Sequence, residues 1–183
     1  SGAAGADTVR LGDGNDLVLG GAGNETIDGD SDADAQRGRD VIAFNKSDGI
    51  DTVSRIGAGS TLSIGGGTTY GNLAFAVSGS NLLLKTSNSN YISLTNWYGS
   101  PGEKNVATLQ IVIEGTSNYN AGSSNPLNNR KIQTFNFLSL VAAYDAAGRP
   151  GNFNIANNLA AHRIGGSDTL ALGGAAAYQY ART

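Results

Sequence analysis

The sequence of 183 residues has no cysteine and no methionine, three prolines, one histidine and one tryptophan. Without cysteine, disulfides and thiolate metal sites are excluded. The scarcity of proline and a charged fraction of only 15% argue against a disordered, charge-rich tail. No run approaches the roughly 18 apolar residues of a membrane span. The opening "SGAAGADTV" lacks the basic and apolar regions of a signal peptide. Patterns of the H-E-x-x-H, G-x-S-x-G and P-loop kinds are missing. His162 stands alone, and a lone histidine is far more often a surface or capping residue than a catalyst. Glu103 and Glu114 are too isolated to suggest a catalytic carboxylate pair. Enzymatic activity is not expected.

Two features are abundant instead. Glycine occupies 27 positions, about twice its usual share of roughly 7%. Acidic residues crowd the beginning: residues 1–51 carry a net charge of −7 and the remainder a net of +4. A block of clustered carboxylates either repels itself and stays unfolded or meets a cation. Nucleic acid is a poor partner for it.

The acidic block is periodic. Cut into nines from Gly2, it reads "GAAGADTVR", "LGDGNDLVL", "GGAGNETID", "GDSDADAQR". Position six holds Asp7, Asp16, Glu25 and Asp34. Position eight holds Val9, Val18 and Ile27, then Gln36. Position four holds Gly5, Gly14 and Gly23, then Asp32. An acidic, Gly-rich linker has no reason to keep such a beat. The period suits a tight turn, in which glycine supplies unusual backbone angles, followed by a very short strand with one aliphatic side chain turned inward. One inward aliphatic per turn does not offset the cost of ordering nine residues. Something besides apolar burial must hold such coils together.

The spacing resembles the glycine- and aspartate-rich nonapeptide of the RTX family, GGxGxDxUx, where U is a large apolar residue. That resemblance implies a right-handed parallel β-roll with two repeats per coil and calcium between turns one coil apart. Asp7 is then expected to face Glu25, and Asp16 to face Asp34. Each pair would share calcium, with Asp13 adding a side-chain oxygen and the carbonyls around Gly12, Gly14, Gly21 and Gly23 completing the six to eight oxygens that the ion takes. Several Ca²⁺ ions are implied. Glu25 departs from the family's aspartate, and its extra methylene is expected to shift or weaken its site.

Beyond the clear repeats, Asp30, Asp32 and Asp34 alternate with Asp28. They superficially resemble an EF-hand loop, but Ala33 and Arg39 occupy the places of its glycine and glutamate. The stretch reads as an insertion that holds an additional calcium, or as a solvated acidic loop, with Arg37 and Arg39 neutralising part of it. "RDVIAF" and "DGIDTV" are further strand entries. Their Asp40 and Asp51 are candidates either for calcium ligands or for turn residues that cap backbone amides. Asp168, in "GSDTLAL", is assigned the capping role.

From residue 60 the chemistry changes. Leu62, Ile64, Leu73, Phe75, Val77, Leu82, Leu84, Ile92, Leu94, Leu109, Ile111 and Ile113 alternate with polar residues, the pattern of a sheet with one buried face. "SGSN" and "SNSN" read as hairpin turns. This part resembles, more loosely, the calcium-free β segments that follow RTX repeats in large secreted bacterial proteins. Helices are predicted near 137–147, stopped by Gly148 and Pro150, and near 154–162, with Asn154 as N-cap. They are expected to cap the open end of the roll. Trp97 and Tyr98 are candidate sugar-stacking residues, with a hydrophobic seam between sheet and roll as the plainer role.

The expected organisation is therefore all-β: an RTX calcium-binding β-roll over residues 1–59 and a β-rich capping region with one or two short helices over 60–183. The chain opens inside a repeat and reads as a piece of a longer protein. The resemblance implies a module that folds on calcium after type I secretion, located outside the cell or on its surface, as the folding or stabilising end of an adhesin. The alternatives are the RTX part of an exoenzyme or toxin, and a calcium-dependent glycan-binding module. Calcium and the secretion machinery are the expected partners, with a cell-surface or glycan partner reached through the parent protein.

Overall fold

The computed structural model describes residues 4–29 and 37–183. The repeats form the shortest strands: β1 (Thr8–Arg10), β2 (Leu17–Leu19) and β3 (Thr26–Asp28). Longer strands follow: β4 (Val41–Asn45), β5 (Ile50–Ser54), β6 (Ser60–Gly65), β7 (Ala74–Ser78), β8 (Asn81–Lys85), β9 (Tyr91–Leu94), β10 (Val106–Val112) and β11 (Ile132–Asn136). Helices α1 (Phe137–Ala146) and α2 (Ile155–His162), strand β12 (Arg163–Ser167) and helix α3 (Gly174–Ala181) complete the chain.

The strands form two six-stranded sheets, ordered β1-β3-β5-β9-β8-β7 and β12-β11-β10-β6-β4-β2. Successive strands from β1 to β6 alternate between the sheets, so each pairs with the strand two ahead, in parallel. The parallel part runs on to β9 and β10. Antiparallel strands then extend each sheet, β8 and β7 on one side and β11 and β12 on the other. Both sheets are consequently mixed and not parallel throughout. The hairpin residues Gly79 and Ser80 turn the chain between β7 and β8 where "SGSN" predicts it, with Gly79 at φ +59°.

Register explains the core. Val9 pairs with Ile27 and Ile27 with Val53; Val18 pairs with Ile42 and Ile42 with Leu62. The position-eight aliphatics thus stack coil upon coil. Residues from both sheets join one buried cluster that also takes in Phe137, Leu140, Tyr144, Ile155 and Leu159 from α1 and α2. Of the alternating aliphatics picked out beyond residue 60, only Val77 stays outside, 39% exposed near the hairpin tip. The core is continuous across residue 60, because β6 pairs directly with β4.

Asn136 and Asn154 cap α1 and α2, accepting from the Ser139 and Asn157 N–H groups. Gly148, at φ +84°, follows the end of α1. Helix α3 is not foreshadowed by the repeat pattern. It packs against β2, β4 and β6 and buries Ala177 and Ala181. Strand β6 is therefore buried along its whole length. A Cβ on Gly65 would lie 2.4 Å from the Ala181 Cα, so glycine is what lets the helix sit this close.

Candidate metal centre in the repeat turns

The turns stack as tightly as the strands. A Cβ on Gly23 would sit 1.8 Å from the Gly5 carbonyl oxygen, and one on Gly49 the same distance from the Gly23 oxygen. No side chain fits there, so position-four glycine is required by close approach as well as by backbone angle. Position five contributes a tie between coils. Asn15 Oδ1 accepts the Arg39 N–H at 2.7 Å, and Asn24 Oδ1 accepts the Ile50 N–H at 2.9 Å.

The acids at position six form two columns. In the first, Asp7, Glu25 and Asp51 follow one another: the Asp7 carbonyl accepts the Thr26 N–H and the Glu25 carbonyl accepts the Thr52 N–H. Asp51 Oδ1 accepts the Glu25 N–H at 3.1 Å. In the second, the Asp16 N–H donates to Asp40 Oδ1 at 3.1 Å, and the Asp40 N–H donates to Ser60 Oγ at 3.0 Å. Asp51 and Asp40 thus cap the backbone of the coil before them, and a serine hydroxyl ends the second column. Asp7 faces Glu25 as the eighteen-residue rule requires. Asp16 meets Asp40, because β2 pairs with β4 twenty-four residues on, and its expected pairing with Asp34 falls outside the described residues. Asp30, Asp32 and Asp34 lie outside the described residues.

Asp7 and Asp16 are half-buried, and the later members of the columns are deeply buried. Glu25 is 1% exposed, Asp40 2% and Asp51 0%. Yet Asp7 Oδ2, Asp16 Oδ2, Asp51 Oδ2 and both Glu25 carboxylate oxygens are buried without a hydrogen-bond partner. Burial, and Glu25 beside it, push the Asp51 carboxyl above the usual carboxylate range, and burial does the same to Asp40 and Asp48. Unpaired buried carboxylate oxygens are costly unless a cation meets them. Among the described residues, no three Asp, Glu, His or Cys side chains converge on one point. The carboxylates alone therefore make no cage, and backbone carbonyls would have to complete any shell of hard oxygen ligands.

The other candidates fall in different places. Asp13 is exposed, beside Gly12 and Gly14, which have positive φ. The Gly21 N–H donates to the Tyr180 hydroxyl at 2.6 Å. Asp28 is engaged by Arg55, through Nε at 2.7 Å and through Nη2, and this ion pair holds its carboxyl below the usual range. Asp168 takes the Arg130 guanidinium at 2.6 Å and the Lys131 N–H at 3.1 Å, the turn role expected of it. His162 Nδ1 meets Ser139 Oγ at 2.8 Å between α2 and α1.

Trp97 and Tyr98, the candidate sugar-stacking residues, both lie in packed surroundings. Trp97 is 1% exposed, edge-on to Phe137 with ring centres 5.6 Å apart, and has no open face. Tyr98 has the Arg149 guanidinium 3.8 Å from its ring centre and donates its hydroxyl to Asp145 at 2.9 Å. Both belong to the packing of β9 and its following turn against α1. Three groups at the turns carried no weight in the sequence reading: Asn15, Asn24 and Asp48. The asparagines recur nine apart, a signal that was available. Tyr180 has no signal in the repeat.

Residues 1–35 match the RTX calcium-binding nonapeptide repeat, in four copies. The match ends one residue before Gln36, where the aliphatic beat fails. No curated protein is similar enough to the chain to count as a relative. Repeats of this kind bind calcium, and they are structural modules and not catalytic ones. Among the described residues no helix is long and apolar enough to cross a membrane.

Proposed function

We propose that residues 1–59 are an RTX β-roll that folds on calcium outside the cell and seeds the β-rich remainder, as the folding and stabilising end of a large surface protein exported by a type I system. The single observation that carries this reading is the set of buried, unpartnered carboxylate oxygens in register, one coil apart. Asp7, Glu25 and Asp51 would hold calcium pairwise between successive coils on one side of the roll, and Asp16 and Asp40 on the other. The carbonyls around Gly12, Gly14, Gly21 and Gly23 are the natural further donors, since they line the same turns. When bound, calcium supplies the positive charge and the coordination that replace lost hydration of these oxygens.

The chain's own residues do the rest. Stacked glycines bring the turns together, Asn15 and Asn24 tie successive coils, and the position-eight aliphatics form the seam. Without the cation, the acidic block repels itself and leaves buried carboxylates unpaired, so the coils open. Extracellular calcium modules bind at about 10⁻⁴–10⁻³ M, which suits a module that stays open inside the cell and closes outside. Circular dichroism in excess chelator and then in millimolar calcium tests this. Loss and recovery of β signal is the expected result, and a spectrum indifferent to chelator contradicts the folding switch.

A further inference from the structure

The C-terminal helix α3 is fastened to the same turns that carry the unpaired acids. At its end, the Tyr180 hydroxyl accepts the Gly21 N–H at 2.6 Å and donates to Asp48 Oδ2 at 2.5 Å. One phenol thus joins a turn of the third repeat to the turn that precedes β5. Asp48 Oδ2 also accepts the Asn45 N–H at 2.5 Å. Asn45 Nδ2 reaches back to the Tyr180 carbonyl at 2.9 Å, and the Gly66 N–H donates to the Ala181 carbonyl at 2.8 Å. The helix end is held at several points, so the position of Tyr180 is determined and not incidental.

Three oxygens from separate groups surround the space beside Gly20. A Cβ there would lie 3.0 Å from Asp51 Oδ2, 3.4 Å from the Ala43 carbonyl oxygen and 3.5 Å from Asp48 Oδ2. Asp51 Oδ2 is fully buried and has no partner. A side chain at position 20 would fill this cradle, and glycine leaves it open. Asp48 lies at its edge, held by the Tyr180 hydroxyl.

We propose that α3 is a latch on the calcium-dependent turns: Tyr180 ties Gly21 to Asp48, places the Asp48 carboxylate beside Asp51 as a second acidic ligand, and so couples docking of the helix to binding of calcium. Tyr180 is a positioning residue in this arrangement, and Asp48 a ligand. Coupling of this kind is reciprocal, so calcium must tighten α3 as much as α3 tightens calcium. The inference rests on the calcium reading above and adds to it a part of the chain far from the repeats in sequence.

The test is a calorimetric calcium titration of the full chain, with thermal melts in chelator and in saturating calcium, for the wild type, Tyr180→Phe and Asp48→Asn. Tyr180→Phe is expected to weaken calcium binding about fivefold or more, and to show a smaller rise in melting temperature on adding calcium than the wild type shows. A purely structural tyrosine would lower both melting temperatures equally and leave affinity alone, and that result overturns the latch. If Tyr180→Phe does not fold, Asp48→Asn decides by the same criterion: it keeps an oxygen for Tyr180 and Asn45 but removes the charge, and unchanged affinity overturns the proposal. A wild type that takes up no calcium overturns the calcium reading itself, which separates the two failures.

Discussion

Asn15 and Asn24 show how much a single side chain does in a nine-residue repeat. Each accepts a backbone N–H from the next coil, and the Ile50 N–H is shared with the Gly23 carbonyl at 3.3 Å. Asn24→Ala is therefore expected to cost about 0.5–1.5 kcal/mol, measured by denaturant unfolding in calcium. Gly49 is less forgiving. Its φ is +108° and a Cβ would run into the Gly23 carbonyl oxygen. Gly49→Ala is expected to destabilise by about 3 kcal/mol or more, and a variant as stable as the parent would mean that the coils do not stack this closely. The acids obey a different logic: Asp51 and Asp40 each give one oxygen to the backbone of the preceding coil, while Glu25 keeps both of its oxygens unpaired. For Asp51, whose sequence leaves ligand and amide cap open, Oδ1 caps the Glu25 N–H and Oδ2 is left over.

At the scale of elements, the repeats were legible because their chemistry is local. A period of nine places Val9 over Ile27 and Asp7 over Glu25 without help from the rest of the chain. For Asp16 the partner one coil on is Asp40, twenty-four residues later, a spacing that the nine-residue period does not specify. Helices α1 and α2 announced themselves through Asn136, Asn154 and Gly148, which act within one turn of helix. Helix α3 did not, since it is held by distant partners. Glu114 takes the Tyr178 hydroxyl, Lys131 Nζ at 2.6 Å and Arg182 Nε at 2.9 Å. Those partners hold its carboxyl below the ordinary range, Lys131 foremost. A depressed folded value means stability that is present above the unfolded carboxylate value and is lost as pH falls through the folded one. Acid is thus expected to loosen α3, seen as lower amide protection factors over residues 174–181, and Glu114→Gln should flatten that pH dependence. An unchanged acid response in the variant would place the anchor elsewhere.

For the whole molecule, one core joins the repeat coils to the antiparallel strands and helices. Ile42 sits where β2, β4 and β6 meet, fully buried, so Ile42→Ala is expected to cost about 2–5 kcal/mol and to lower the stability of both parts in a single transition. Two separate transitions would mean that the repeats and the remainder fold independently. Under the proposed reading, calcium would sit where the unpaired oxygens of Glu25 and Asp51 lie against the coil stack, and its effect should reach as far as the packing does. The most direct test of the calcium account is a calorimetric titration of the chain with calcium beside the variant Asp51→Asn. The wild type should bind with measurable heat and gain β structure, and the variant should bind more weakly or lose a site. Calcium uptake and folding identical in the two proteins would contradict the assignment of the buried column as the metal centre.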